Sequence, residues 1–200
     1  MVRDNAHGHQ TDHVNADAPW VDQGAGEPDR LQRLWAPYRK AYLTEKSADP
    51  FVAAPQKSDE ESLIVARGNQ VYALLNLFPY NAGHLLVVPY RKVANVEDLD
   101  IEESQEFMSF IQMAIRVLKK VSNPHAINVG MNLGGASGGS VRDHLHAHIV
   151  PRWQGDANFL TIIDGTKVLP ELLADTRTIL AQGWKEISAE FADEKGANCH

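Results

Sequence analysis

Seven residues, His144-Leu145-His146-Ala147-His148-Ile149-Val150, constrain this chain more than any others. Side chains along a β-strand alternate between two faces. The segment therefore predicts a strand with Leu145, Ala147 and Ile149 on one face and His144, His146 and His148 on the other. The first face suits a hydrophobic core. The second sets three imidazoles in a row, about 7 Å apart at each step, twice the strand rise. Sheet stability gives no reason for such a row, because neighbouring histidines repel when charged and lose hydration when buried. Three readings fit it: histidines on a solvated strand, a zinc site of neutral imidazoles, or a nucleophilic imidazole whose neighbours fix its tautomer and protonate a leaving group.

The preceding loop, Leu133-Gly134-Gly135-Ala136-Ser137-Gly138-Gly139-Ser140, favours the third reading. Its four glycines let backbone N–H groups approach an anion closely. Ser137 and Ser140 add hydroxyl donors, and Arg142 and Arg152 flank the histidines with positive charge. Such donors must be local. The chain has 19 basic and 26 acidic residues and a net charge of -7, the wrong sign for a general nucleic-acid binder. The single cysteine, Cys199, excludes an internal disulfide framework. No apolar run is long enough to span a bilayer and the polar N-terminal residues contain no apolar h-region, so a cytoplasmic protein with neither nucleic-acid nor membrane partners is expected.

Two hundred residues, 44% of them apolar, suit one domain with a sizeable core. Residues 1–28 are rich in Asp, Asn, Gly and His and read as a disordered polar tail. His7, His9 and His13 fall in it, as solvated residues or as a metal trap. A single domain is expected over residues 29–200, opening with a helix at residues 29–43 that Pro37 ends or bends. Residues 46–61 read as a polar loop. Strands are predicted at residues 63–66 and 71–76, joined by a tight turn at Arg67-Gly68-Asn69, and at residues 84–88, 127–132 and 144–150. Between the third and fourth, Asp100 and Glu103 form a capping-box pattern opening a helix to residue 121. Residues 156–191 read as largely helical, interrupted by Pro170 and Gly183. The pattern is that of an α+β fold: about five antiparallel strands, one main helix and a helical C-terminal segment.

The histidine row and its loop resemble those of the histidine triad family of nucleotidyl hydrolases and transferases. The family motif, His-x-His-x-His followed by two apolar residues, is met from His144 to Val150. Asn76-Leu77-Phe78-Pro79-Tyr80-Asn81-Ala82-Gly83-His84 resembles the family's ribose-binding turn and Gly-His strand. The likeness extends from about Leu31 to Trp153. After the motif, Pro151-Arg152-Trp153-Gln154-Gly155-Asp156 resembles the branch that splits diadenosine tetraphosphate with orthophosphate. Related members carry a Cys-x-x-Cys pair that helps bind a structural zinc. Here that stretch is similar to Asp49-Pro50-Phe51-Val52, so no zinc is expected there.

The resemblance implies a nucleotidyltransferase in which His146 is the nucleophile, His148 bonds the phosphate or leaving oxygen, and His144 orients His146. It assigns substrate contacts to Asn76 at the ribose and to Asn132, Gly139 and Ser140 at the phosphates. Trp153 is a candidate for stacking on adenine, or a core residue. His84 either extends the histidine network or is structural, and His125 reads as structural. No tightly bound cofactor is implied, beyond magnesium carried by the nucleotide. The partners implied are an adenine dinucleotide polyphosphate, orthophosphate and a second copy of the chain, in a homodimer or dimer-based tetramer. Hydrolysis to AMP and a three-histidine zinc hydrolase are the alternatives.

Overall fold

The structure, a computed structural model, describes residues 49–137, 141–156 and 172–197. The tail, the predicted helix at residues 29–43, the loop residues Gly138, Gly139 and Ser140, and residues 157–171 lie outside the described residues.

A one-turn helix α1 (Pro50–Ala53) runs into a 3-10 turn (Ala54–Gln56), where the sequence predicted a loop. Strands β1 (Ile64–Arg67), β2 (Val71–Leu75) and β3 (Leu85–Pro89) follow, then helix α2 (Ile101–Ser122). Strands β4 (Ala126–Met131) and β5 (Ala147–Arg152) precede the last helix, α3 (Leu173–Ala197). The sheet runs β1-β2-β3-β5-β4, and every neighbouring pair is antiparallel. The α+β prediction and the count of five strands hold.

Alternation along the strands gives the sheet two unlike faces. Val71, Ala73, Leu75, Leu85, Val87, Ala147 and Ile149 point toward α2 and α3 and form the main core with Phe107, Ile111, Leu118, Leu180 and Trp184. On the opposite face Tyr72, Leu74, Leu86 and Val88 pack against Phe51 and Ala54. Helix α2 begins as its capping box requires: Asp100 Oδ1 accepts from the Glu103 N–H, and Glu103 Oε2 accepts from the Asp100 N–H. It ends at Asn123, in the left-handed region with φ 44°.

Two expectations need correction. Gly183 does not interrupt the last helix: α3 runs through it, because a Cβ there would lie 2.6 Å from Val121 Cγ2, and only glycine lets α3 come so near α2. The histidine strand is paired only from Ala147, not from His144. The ladder stops because Pro89 has no N–H to give and its carbonyl faces the His144 ring instead. Leu145 still enters the main core and donates its N–H to Val93 O at 2.6 Å, so alternation persists without pairing.

Candidate active site

The row of three imidazoles is bent at its first member. The His146 and His148 rings lie with centroids 4.9 Å apart. His144 turns toward α1, and its backbone carbonyl, rather than its ring, meets His146. The His146 Nδ1–H donates to His144 O at 2.8 Å. A carbonyl only accepts, so the hydrogen of a neutral His146 sits on Nδ1 and its lone pair on Nε2. Burial pushes the His146 pKa below the usual histidine value, and the nearby His144 charge adds to this, against the opposing effects of the His144 carbonyl bond and Asp49. The ring is thus held neutral, with a nucleophilic nitrogen at Nε2.

His148 is set from the other side. The Tyr80 N–H donates to His84 Nδ1 at 3.0 Å, which leaves His84 Nε2 to carry the hydrogen. That Nε2–H donates to His148 Nδ1 at 3.0 Å. A neutral His148 therefore carries its hydrogen on Nε2, and the Asn132 carboxamide, whose Nδ2 lies 3.3 Å away, must turn its Oδ1 toward that nitrogen to accept from it. Tyr80 stacks on the His148 ring, 5.7 Å between centroids and 13° between planes. His84, fully buried, extends the histidine network as well as supporting the turn before β3. The pair of rings presents a lone pair on one nitrogen and a hydrogen on the other, which is what attack at phosphorus with protonation of a leaving oxygen requires.

Two cavities lie near these rings: the larger reaches the histidines through Phe51, and His148 lines the smaller. The larger, about 660 Å³, is walled by Phe51, Ala54, Leu74, Asn76, Leu86 and Val141, with Lys92 and Arg142 among its charged groups. The smaller, about 490 Å³, has His148, Asn132, Tyr80 and Arg152 on its walls. Phe51 reaches from the first cavity to the His146 ring, 4.9 Å between centroids.

A family model for the HIT domain matches residues 57–155. The AP-4-A phosphorylase of Mycobacterium tuberculosis is 56% identical over 186 residues, 88% of this chain and 95% of that one. The chain belongs to the histidine triad family. The bis(5'-adenosyl)-triphosphatase of Saccharomyces cerevisiae is 40% identical over 89 residues, 44% of this chain and 43% of its own. A solved HIT-like protein from Bartonella henselae, 25% identical, superposes with a TM-score of 0.50 over 60% of this chain and 85% of that one.

In this histidine triad protein the predicted site residues gather unevenly. His144, His146, His148 and Asn132 converge. Asn76 stands on the wall of the larger cavity, where its Oδ1 accepts from the Phe78 N–H at 3.0 Å and its Nδ2 lies 3.4 Å from His84 Nδ1. Gly139 and Ser140 lie outside the described residues. Trp153 is half-buried and lines neither of these two cavities; its N–H donates to Asp156 Oδ2 at 3.2 Å. Arg152 is committed to Asp156 at 2.6 Å and to Asn128 at 2.9 Å, and holds the Asp156 carboxyl well below the usual carboxylate range. His125 is structural, accepting the Gln154 N–H at 2.9 Å. Sequence reasoning missed Asp49, Lys92 and Tyr80. An Asp followed by a Pro is a helix-start signal, and Asp49 does cap α1 by accepting the Phe51 N–H at 3.0 Å. Its approach to His144, 95 positions away, has no sequence signal. Among the described residues no group of three His, Cys, Asp or Glu is arranged to hold a metal ion.

Proposed function

We propose that this protein is a diadenosine tetraphosphate phosphorylase working through a covalent adenylyl-histidine at His146. The observation that carries the chemistry is the bond from His146 Nδ1–H to the His144 carbonyl, which commits the lone pair to Nε2. The likeness to the mycobacterial AP-4-A phosphorylase, over nearly the whole of both chains, supports phosphate as the acceptor.

His146 Nε2 attacks the α-phosphorus of one adenylyl end. A P–N bond forms, the bond from that phosphorus to the bridging oxygen breaks, and ATP leaves with the proton from His148 Nε2. An orthophosphate oxygen then attacks the same phosphorus, the P–N bond breaks, ADP is released, and His148 recovers a proton from the incoming phosphate. The apolar wall of the larger cavity takes the adenosine being transferred, with Asn76 at the ribose. Asn132 and the loop residues Gly139 and Ser140 supply donors for the charge that develops on the phosphoryl oxygens. The family resemblance points to Trp153 as a stacking partner for adenine, from a half-buried position after β5. Magnesium, where required, enters with the nucleotide's phosphates. The three-histidine zinc reading loses support from the hydrogen bonds: His144 faces an acceptor at each ring nitrogen, so it has no lone pair to offer a metal.

The same reading makes the enzyme cytoplasmic, with its nucleotide substrates, and a homodimer or dimer-based tetramer. Strand β4 lies at the edge of the sheet and exposes Val129, Met131 and, just beyond it, Leu133. The test of the function is the incubation of purified protein with diadenosine tetraphosphate, with and without orthophosphate, and separation of the nucleotide products. ADP and ATP support the proposal; AMP and ATP in the presence of phosphate put the protein among the hydrolases.

A further inference from the structure

The short segment around α1 approaches the histidines from the face of the sheet that carries the site. Asp49 uses one carboxylate oxygen to cap α1. Its other oxygen, Oδ2, accepts from His144 Nδ1 at 3.0 Å and from the Lys92 ammonium at 3.1 Å. The second ring nitrogen of His144, Nε2, donates to Pro89 O at 2.9 Å. A carboxylate and a carbonyl only accept, so the His144 ring is held between two acceptors, one at each nitrogen. This side chain is fully buried and Asp49 is 12% exposed. Burial pushes the Asp49 carboxyl up, but the bonds from His144 and Lys92 outweigh it and hold the group below the usual carboxylate value.

A ring bonded at both nitrogens cannot swing, and the peptide that follows it is held as well, by the Leu145 N–H bond to Val93 O. The carbonyl of that peptide is the one that takes the His146 Nδ1–H. Phe51, two residues beyond Asp49, closes the arrangement: its ring stands edge-on to His144, with centroids 5.6 Å apart, and its own carbonyl accepts from the Tyr72 hydroxyl at 2.7 Å.

We propose that Asp49 is a positioning residue for nucleotidyl transfer: it clamps the His144 ring, and with it the His144 carbonyl that keeps the lone pair of His146 on Nε2. This rests on His146 being the nucleophile. The role differs from that of a structural ion pair, because what it fixes is the tautomer of another residue's ring.

The experiment compares Asp49→Asn, Asp49→Glu and His146→Ala as full-length proteins. Asp49→Asn keeps a cap for the Phe51 N–H but puts an amide nitrogen, a donor, in place of the Oδ2 that faces His144 and Lys92. Each variant is followed by kcat and KM for phosphorolysis of diadenosine tetraphosphate, by melting temperature, and by nitrogen-15 NMR of the histidine rings at neutral pH. The expected result for Asp49→Asn is a changed nitrogen-15 signal at one histidine Nδ1 and a fall in kcat of about 10- to 100-fold, the cost seen for partners that orient metal-bound histidines. Asp49→Glu should recover part of that kcat. Wild-type kcat in Asp49→Asn overturns the proposal. So does a loss of kcat that Asp49→Glu does not relieve and that tracks the melting temperature. Turnover by His146→Ala overturns the nucleophile reading itself, whereas an inactive His146→Ala beside a fully active Asp49→Asn overturns only the role of Asp49.

Discussion

At the scale of single residues, the environment of His146, the nucleophile we propose, makes a signed prediction. Attack needs the neutral ring, and burial, helped by the nearby His144 charge, lowers the His146 pKa below its ordinary 6.5. As pH falls, kcat/KM should therefore hold through 6.5 and decline only below it; an acid limb at or above 6.5 would contradict this. The same shift acts on stability. The unfolded chain takes up the proton first, so His146 lowers stability as the pH drops from 6.5 toward the folded value. His146→Ala should remove turnover, with no adenylyl-enzyme detectable by mass, and leave binding of adenine nucleotides within a fewfold, because the cavity walls are intact. The triad was legible because three histidines at period two have no structural purpose. The bend at His144 was not, since it depends on Asp49 and on a proline carbonyl at the end of a neighbouring strand.

Among the elements, the sheet and α2 were read from period-two runs and a capping box, signals that lie within a few residues of one another. What sequence could not supply was the contacts between elements. The β1–β2 turn is held by Glu106 of α2, whose carboxylate accepts from the N–H groups of Asn69, Gln70 and Val71. Gly68 permits this, because a Cβ there would lie 2.7 Å from Glu106 Oε1. Glu106→Ala leaves the part-buried Val71 N–H without its acceptor, while water can reach Asn69 and Gln70, and should lower stability by about 1–3 kcal/mol. Denaturant unfolding would measure this, and single-turnover adenylylation should be unchanged. A loss below about 0.5 kcal/mol would mean that water replaces the carboxylate at no cost. The mistaken break at Gly183 has the same origin: a glycine in a helix reads as a stop until the facing Val121 is known.

For the molecule as a whole, the two faces of the sheet separate stability from function. The helices cover one face and form the core; the other carries the histidines, the larger cavity and the short capped turn. The exposed edge at β4 leads us to expect assembly. Sedimentation at micromolar concentration should give twice or four times the chain mass of 22.2 kDa; a monomer would count against it. Phosphorolysis asks more of the whole protein than its first chemical step does. A chain of net charge -7 must hold orthophosphate beside a bound adenylyl group and keep it ahead of water. Holding two reactants in line contributes about 7–11 kcal/mol, enough to outweigh the higher concentration of water. Nucleotide products, separated after incubation with diadenosine tetraphosphate and millimolar orthophosphate, report that competition directly. Phosphorolysis gives ADP and ATP in equal amounts; AMP and ATP without ADP would make the protein a hydrolase instead.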